Sequence, residues 1–291
     1  MHKFRSEAYT QSKAGKDADP RSNEDVFAYN DDLTVIADGS TSKNKAVSEL
    51  IEQTYGATGG RIAAEIATEG VKNTDLNGKE LVGYINAKIR EASRKFSPSG
   101  EPLENIMATT LAAARIERDT REIVVTQVGD TAFRATFSND SQMWFIEERK
   151  IDVLDAVARS KAVRAALEAG ESDEEAMVQG RAAIADSLGR QVVHYWNNPD
   201  SEYGMGYIAG SEVPDKFINV YRFSAEDIKT IEFMSDGYLY GSRDEFPQGS
   251  TIQVWEDYIT RVHEEDPYKY ERYPATKPID DRTIIISHLE Q

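Results

Sequence analysis

The chain has no cysteine, so neither a disulfide nor a thiolate metal site is available to it. Its four histidines, His2, His194, His263 and His288, are too few and too scattered for a histidine-rich binuclear centre, and we expect them at the surface or in packing. No apolar run approaches the length of a membrane span, and the opening "MHKFRSEAYT" has no apolar stretch of the kind a secretory leader carries. Basic residues are short: 34 Lys and Arg stand against 51 Asp and Glu, a net charge of -17. Such a chain repels nucleic acid and anionic lipid unless a basic patch overrides it, and no basic block is present. Together these absences set the expectation of a cytoplasmic protein that binds neither nucleic acid nor membrane. Several enzyme signatures are also missing. There is no Gly-Lys-Ser/Thr phosphate loop, "GATGGR" lacks the lysine that would clamp a nucleotide, and neither Gly-x-Ser-x-Gly nor His-Glu-x-x-His occurs.

What is present is an ordinary globular composition, 40% hydrophobic and 29% charged, in 291 residues, long enough to bury a sizeable core. No repeat or low-complexity linker divides it, so we expect one domain over 1–291. Residues 1–22 read as polar and turn-rich. "DVFAYNDDLTVIADG" reads as two strands joined by an Asn-Asp-Asp turn, with Asp31 and Asp32 in the turn. Helical periodicity runs from Lys45 to about Val71, with Gly59-Gly60 as an irregularity, and a second amphipathic helix carries Leu81, Ile85, Ile89 and Phe96 near one face. "ATTLAAARIE", "EIVVTQVGDTAFRATF" and "SQMWFIEE" read as an antiparallel meander. Residues 151–190 are Ala-rich and read as a helical hairpin, an insertion or flap, with Ser172 and Glu175 at capping-box spacing. Strands "FINVYRFS" and "TIEFMSDGYLY", a helix over "STIQVWEDYITRVHEE" and a last strand "DDRTIIISHLE" follow. The pattern is that of an α+β sandwich with helices packed on antiparallel sheets.

Apolar strands repeatedly run into carboxylates. "TVIADG" ends on Asp38, "EFMSDG" on Asp236 and "VVTQVGD" on Asp130, while Glu24-Asp25 and Asp280-Asp281 precede apolar strands. Carboxylate and carbonyl oxygens are the ligands hard cations such as Mg²⁺ and Mn²⁺ favour. An Asp-Gly after a strand is also an ordinary turn, and spacing alone does not show convergence.

Read in order, "NEDVF", "VIADGS", "ATTLAAA", "VVTQVGDTAF", "FMSDGY" and "DDRTIIIS" resemble the metal-dependent type 2C (PPM) family of serine/threonine protein phosphatases, and "NNPDSEYGMGYI" resembles a region of a divergent, mostly bacterial branch. The resemblance implies a four-layer αββα sandwich of two antiparallel sheets flanked by helix pairs, with the site at one end. It implies two Mn²⁺ or Mg²⁺ ions and a weaker third in some members. By motif match Asp38 would bridge both metals, the Gly39 carbonyl would bind one, and Asp236 and Asp280 would complete the first site. Glu24 would serve the second directly or through water, and Asp130 with Asp236 matches the third. It implies hydrolysis of phosphoserine or phosphothreonine in a protein substrate by a metal-bridging water, with a Ser/Thr kinase as counterpart.

Two departures stand out. Many members carry histidine directly after the Asp-Gly pair, where this chain has Ser40, a poor general acid. The arginine that relatives place four residues before the first glutamate is replaced at that position by Pro20; Arg21, one residue closer, is the candidate phosphate fork, or else a solvated loop arginine. Thr109 and Thr110 read as buried strand residues near the site. Asp281 is expected on the opposite strand face from Asp280, and Asp25 is ambiguous for the same reason. The tail "DPYKYERYP" reads as a loop packed on the sandwich, with a docking surface as the alternative. A catalytically silent binding or regulatory module, and a phosphatase of a small phosphorylated metabolite, remain open as other functions.

Overall fold

The computed structural model describes residues 2–13, 19–40, 44–97, 106–147, 150–241, 243–269, 277 and 279–290. Its strands are β1 (Lys3–Gln11), β2 (Val26–Tyr29), β3 (Leu33–Ser40), β4 (Ala108–Glu117), β5 (Glu122–Val128), β6 (Ala132–Phe137), β7 (Gln142–Phe145), β8 (Asn219–Ser224), β9 (Ile228–Met234) and β10 (Arg282–Glu290). The helices are α1 (Lys45–Tyr55), α2 (Gly59–Lys72), α3 (Gly78–Ser93), α4 (Lys150–Glu168), α5 (Asp173–Arg190) and α6 (Ile252–Glu265). One sheet has the order β2-β3-β4-β5-β8 and the other β1-β10-β9-β6-β7. All the pairings are antiparallel.

Side chains alternate across a strand, and here that alternation builds the layers. In β3, Leu33, Val35 and Ala37 join a core with α1, α2 and α3, while Ile36 joins the core between the sheets. In β4, Leu111 and Ala113 face the helices and Ala112, Ala114 and Ile116 the other sheet. Small residues on both sides, Ala113 against Ala63, Ala64 and Ala67, let α2 approach closely. In the second sheet Ile285, Ile231 and Phe233 face inward, whereas Ile284, Ile286 and Met234 pack on Trp255, Tyr258 and Ile259 of α6. The sandwich is therefore helices, sheet, sheet, helix. On the outer side of the second sheet α6 packs through Trp255, Tyr258, Ile259 and Val262. Arg134 pins this side. Its fully buried guanidinium pairs with Glu232, donates to the carbonyls of Pro247 and Gly249, and lies over the Trp144 and Trp255 rings.

Three local readings change. The helical run from Lys45 is broken at Gly56, which caps α1 in the left-handed region at φ 69°. Gly59 and Gly60 are not an irregularity but the first turn of α2, behind the Thr58 cap. The turn-rich opening contains β1, an edge strand on β10 whose only buried apolar side chain is Phe4.

Helices α4 and α5 form the expected hairpin, closed by Val163, Ala166 and Ala176 and started at α5 by the Ser172–Glu175 capping box. From α5 the chain passes through a wide turn, Gln191–Tyr195, and returns to the sheet, where Ile208 and Thr109 exchange backbone hydrogen bonds of 3.0 and 3.1 Å. Trp196 stacks on Tyr207 with ring centres 4.0 Å apart, which ties the base of the hairpin to the strand end beside Asp38. Of the tail "DPYKYERYP", residues 270–274 lie outside the described residues.

Candidate active site

Antiparallel pairing puts the candidate carboxylates at one end of the sandwich. β3 runs against β2, so Asp38 at the end of one lies beside Glu24 and Asp25 at the start of the other. β9 runs against β10, so Asp236 follows the strand that meets the start preceded by Asp280 and Asp281. The sheets are joined at this end: the Ser235 hydroxyl donates to Asp25 Oδ2 at 2.7 Å, the Thr283 amide donates to Ser235 Oγ at 2.9 Å, and the Ser235 amide donates to the Thr283 carbonyl at 3.0 Å.

The charges confirm that the groups converge. Burial, followed by the charges of Asp236, Asp25, Asp130 and Asp280, pushes Asp38 well above the ordinary carboxylate range. Asp25 is pushed up to about 8, chiefly by burial, with Asp281 and Asp236 adding to it and the Ser235 and Thr283 hydroxyls opposing. Asp280 rises to about 6 through burial and Asp236, against the pull of Lys277. Four of the motif aspartates therefore share one field with Asp25. Glu24 is beside them: a Cβ on Gly39 would lie 2.9 Å from the Glu24 carbonyl oxygen. The Thr58 hydroxyl donates to Glu24 Oε1 at 2.6 Å.

Two lysines answer this negative charge. Lys277 donates to Asp280, and although burial of its ammonium opposes the charge, Asp280, Asp236 and Asp38 hold its pKa well above the usual value. Lys13 Nζ stands 3.0 Å from Glu24 and 3.1 Å from Asp281, and these two carboxylates likewise outweigh burial and raise its pKa. Among the described residues no group of three or more histidine, aspartate and glutamate side chains is arranged so that it could hold a metal ion.

The strand end itself is rigidly built. A Cβ on Gly39 would lie 2.3 Å from the Gly60 carbonyl oxygen, so glycine is needed where α2 begins against β3. Thr109, fully buried, donates to the Asp38 carbonyl at 2.9 Å, and Thr110 bonds the Thr131 hydroxyl at 2.6 Å, as expected of strand residues near the site. Ser40 is the last residue of β3.

Arg21 is not drawn into the cluster. It sits in a short 3₁₀ turn, 59% exposed, with its guanidinium 3.2 Å from Asp19. The histidines also lie elsewhere. His263 is lowered to about 4 by burial and packs on Tyr240, His288 bonds Thr230, and His194 lies by Tyr195. Asp281 departs from its expected place. Its carboxylate accepts from the Glu24 amide at 3.1 Å and the Lys13 amide at 2.8 Å, on the side of the site rather than away from it. Strand alternation does not apply to it, because β10 begins at Arg282. The same holds for Asp25, which precedes β2.

A family profile described as protein phosphatase 2C matches residues 21–271. Among curated proteins no sequence matches. Of solved structures, the Mycobacterium tuberculosis serine/threonine phosphatase PstP/Ppp is similar with a TM-score of 0.55 at 15% identity, over 99% of this chain and 100% of that one. The catalytic domain of serine/threonine protein phosphatase PstP in complex with two manganese ions gives 0.53 at 13% identity over 100% of both chains. Serine/threonine phosphatase Stp1 from Staphylococcus aureus gives 0.53 at 14% identity, over 99% of this chain and 96% of that one. At such identities the structural likeness speaks for the sandwich alone. The profile match over most of the chain, which takes in five of the six ordered motifs and ends before "DDRTIIIS", places this protein in the protein phosphatase 2C family.

Proposed function

We propose that this chain is a Mg²⁺- or Mn²⁺-dependent phosphatase of phosphoserine and phosphothreonine in proteins, acting through the carboxylates at the end of the sandwich. The observation that carries the reading is the gathering, by antiparallel strand pairing, of Asp38, Asp236, Asp130 and Asp280 at one end of the sandwich, where burial and then their charges raise Asp38. An all-oxygen set with excess negative charge suits a hard divalent cation such as Mg²⁺ or Mn²⁺. By motif match Asp38, the Gly39 carbonyl, Asp236 and Asp280 would serve one ion, Asp38 and Glu24 the other, and Asp130 with Asp236 a weaker third, once side chains that are not arranged around an ion here turn towards it. When bound, the ions neutralise phosphoryl oxygens and acidify the attacking water.

The remaining work falls to the chain's own residues. Thr109 fixes the Asp38 backbone, and Gly39 against Gly60 fixes the strand end. Arg21 is our candidate for the substrate phosphate: its pair with Asp19 is exposed and screened by water, so exchange for a phosphoryl oxygen is easy. Ser40 is a poor proton donor, which leaves water to protonate the departing seryl or threonyl oxygen.

Further parts of the proposal are a single domain over 1–291 and a flap over 151–190 that selects protein substrates. A phosphoprotein and its kinase are the expected counterparts, in the cytoplasm. No helix among the described residues is long and apolar enough to cross a membrane. A second reading, a binding module without turnover, draws on the lysines already seated on the carboxylates. The deciding test is release of phosphate from phosphoserine, phosphothreonine and phosphotyrosine peptides with Mn²⁺, Mg²⁺ or chelator. Metal-dependent release from the first two supports the phosphatase. Absence of turnover with every metal, for peptides and aryl phosphate alike, favours the silent module.

A further inference from the structure

The two lysines at the site are placed with a regularity that the motifs do not require. Lys277 meets Asp280 and lies in the field of Asp236 and Asp38, the carboxylates assigned to one ion. Lys13 meets Glu24, assigned to the other, and reaches Asp281 on its far side. Each half of the carboxylate cluster thus has its own ammonium group. Lys277 is a local partner, three residues from Asp280, whereas Lys13 is 268 residues from Asp281 in sequence, so that contact exists only because the fold closes β1 onto β10.

Carboxylates gathered in a half-buried site repel each other, and a buried charge without a partner is strongly destabilising. Lys13 and Lys277 offset part of that repulsion. They do not offset all of it, since Asp25, Asp38, Asp130, Asp236, Asp280, Asp281 and Glu24 outnumber them, and Asp38 is still raised. The result is a cluster that folds without an ion yet keeps a net negative charge for one. Lys13 is gripped from two sides, with its own amide also bonded to Asp281 at 2.8 Å. Lys277 reaches Asp280 through its side chain, and the two lysine side chains are similarly exposed, 38% for Lys13 and 43% for Lys277.

We propose that Lys13 and Lys277 are resident counter-cations of the metal centre, which hold its carboxylates together in the metal-free protein and must yield Glu24 and Asp280 when divalent ions bind. The inference rests on the carboxylates being the metal ligands assigned above. It makes metal affinity a property set by these lysines in both halves of the site.

The test is calorimetric titration of Mn²⁺ into chelator-stripped protein for wild type, Lys277→Met, Lys13→Met and the charge-preserving Lys277→Arg. Lys229→Met, which removes a partner of surface Asp140, serves as control. We expect Mn²⁺ to bind at least tenfold more tightly in Lys277→Met and in Lys13→Met, and within threefold of wild type in Lys277→Arg and the control. The metal-free melting temperature should fall in both methionine variants and recover on adding Mn²⁺, which also shows that they fold. Unchanged or weaker Mn²⁺ binding in both, or no Mn²⁺ binding by any of the proteins, overturns the inference. Tighter binding without hydrolysis of phosphate esters would uphold the counter-cations and sink the phosphatase. Mn²⁺-dependent hydrolysis with unmoved affinities would do the reverse.

Discussion

Asp25→Asn should stabilise the metal-free protein, and the gain should depend steeply on pH. The folded chain holds Asp25 near 8 against an ordinary 3.8, with burial as the largest cause. A carboxyl whose folded value is raised binds its proton more tightly in the native state. Stability is therefore complete below about pH 4 and is lost as pH climbs from there to about 8, where the unfolded chain ionises freely and the native one resists. At about 1.4 kcal/mol per unit, the ceiling on this cost is about 5 kcal/mol at pH 8 and about 2 kcal/mol at pH 5. Asp281 and Asp236 share in the shift, so the measured effect will fall below that ceiling. Asparagine keeps an oxygen for the Ser235 hydroxyl and cannot ionise. Urea unfolding in chelator should show Asp25→Asn more stable than wild type by about 3 kcal/mol at pH 8 and by about 1 kcal/mol at pH 5. At roughly 2 °C per kcal/mol, the melting temperature at pH 8 should rise by about 6 °C. Equal gains at the two pH values, or no gain at pH 8, would refute the electrostatic account of the site.

Other substitutions probe the scaffold. Gly39→Ala places a methyl 2.3 Å from the Gly60 carbonyl oxygen, backbone against backbone, and should destabilise by about 3 kcal/mol in urea unfolding. A loss below about 1 kcal/mol would mean that α2 can retreat from β3. Arg134→Met leaves Glu232 buried without its partner and should cost about 3–5 kcal/mol, while the double change with Glu232→Leu should recover much of it. Replacing 151–190 by a short linker should leave aryl-phosphate hydrolysis largely intact and alter preference among phosphoproteins; loss of folding would show that the hairpin belongs to the core.

The layers were legible because strands such as β3 are apolar on both faces, a pattern that only a central strand between two layers satisfies. Strand β1 escaped notice because an edge strand buries little: of its nine residues only Phe4 is a buried apolar one. At the site, Asp38, Asp130 and Asp236 could be picked out because each ends an apolar strand. Alternation misplaces Asp281 and makes Asp25 ambiguous because it is carried past the ends of strands that begin at Val26 and Arg282. Lys13 and Lys277 could not be read at all. The Lys13 contact with Asp281 is set by closure of the sandwich across 268 residues, and Lys277, three residues from Asp280, belongs to no motif. Arg21 shows the converse: its pairing with Asp19, two residues away, is a local event that motif position did not reveal.

The central claim is that the carboxylates around Asp38 hold the ions that drive phosphate-ester hydrolysis. Aryl-phosphate turnover by wild type, Asp38→Asn and Asp236→Asn, with Mn²⁺, with Mg²⁺ and with chelator, tests it most directly. The account predicts turnover in wild type that chelator abolishes, and a loss of at least a hundredfold in both variants although they remain folded. Metal-independent turnover, or full activity in both variants, would contradict it.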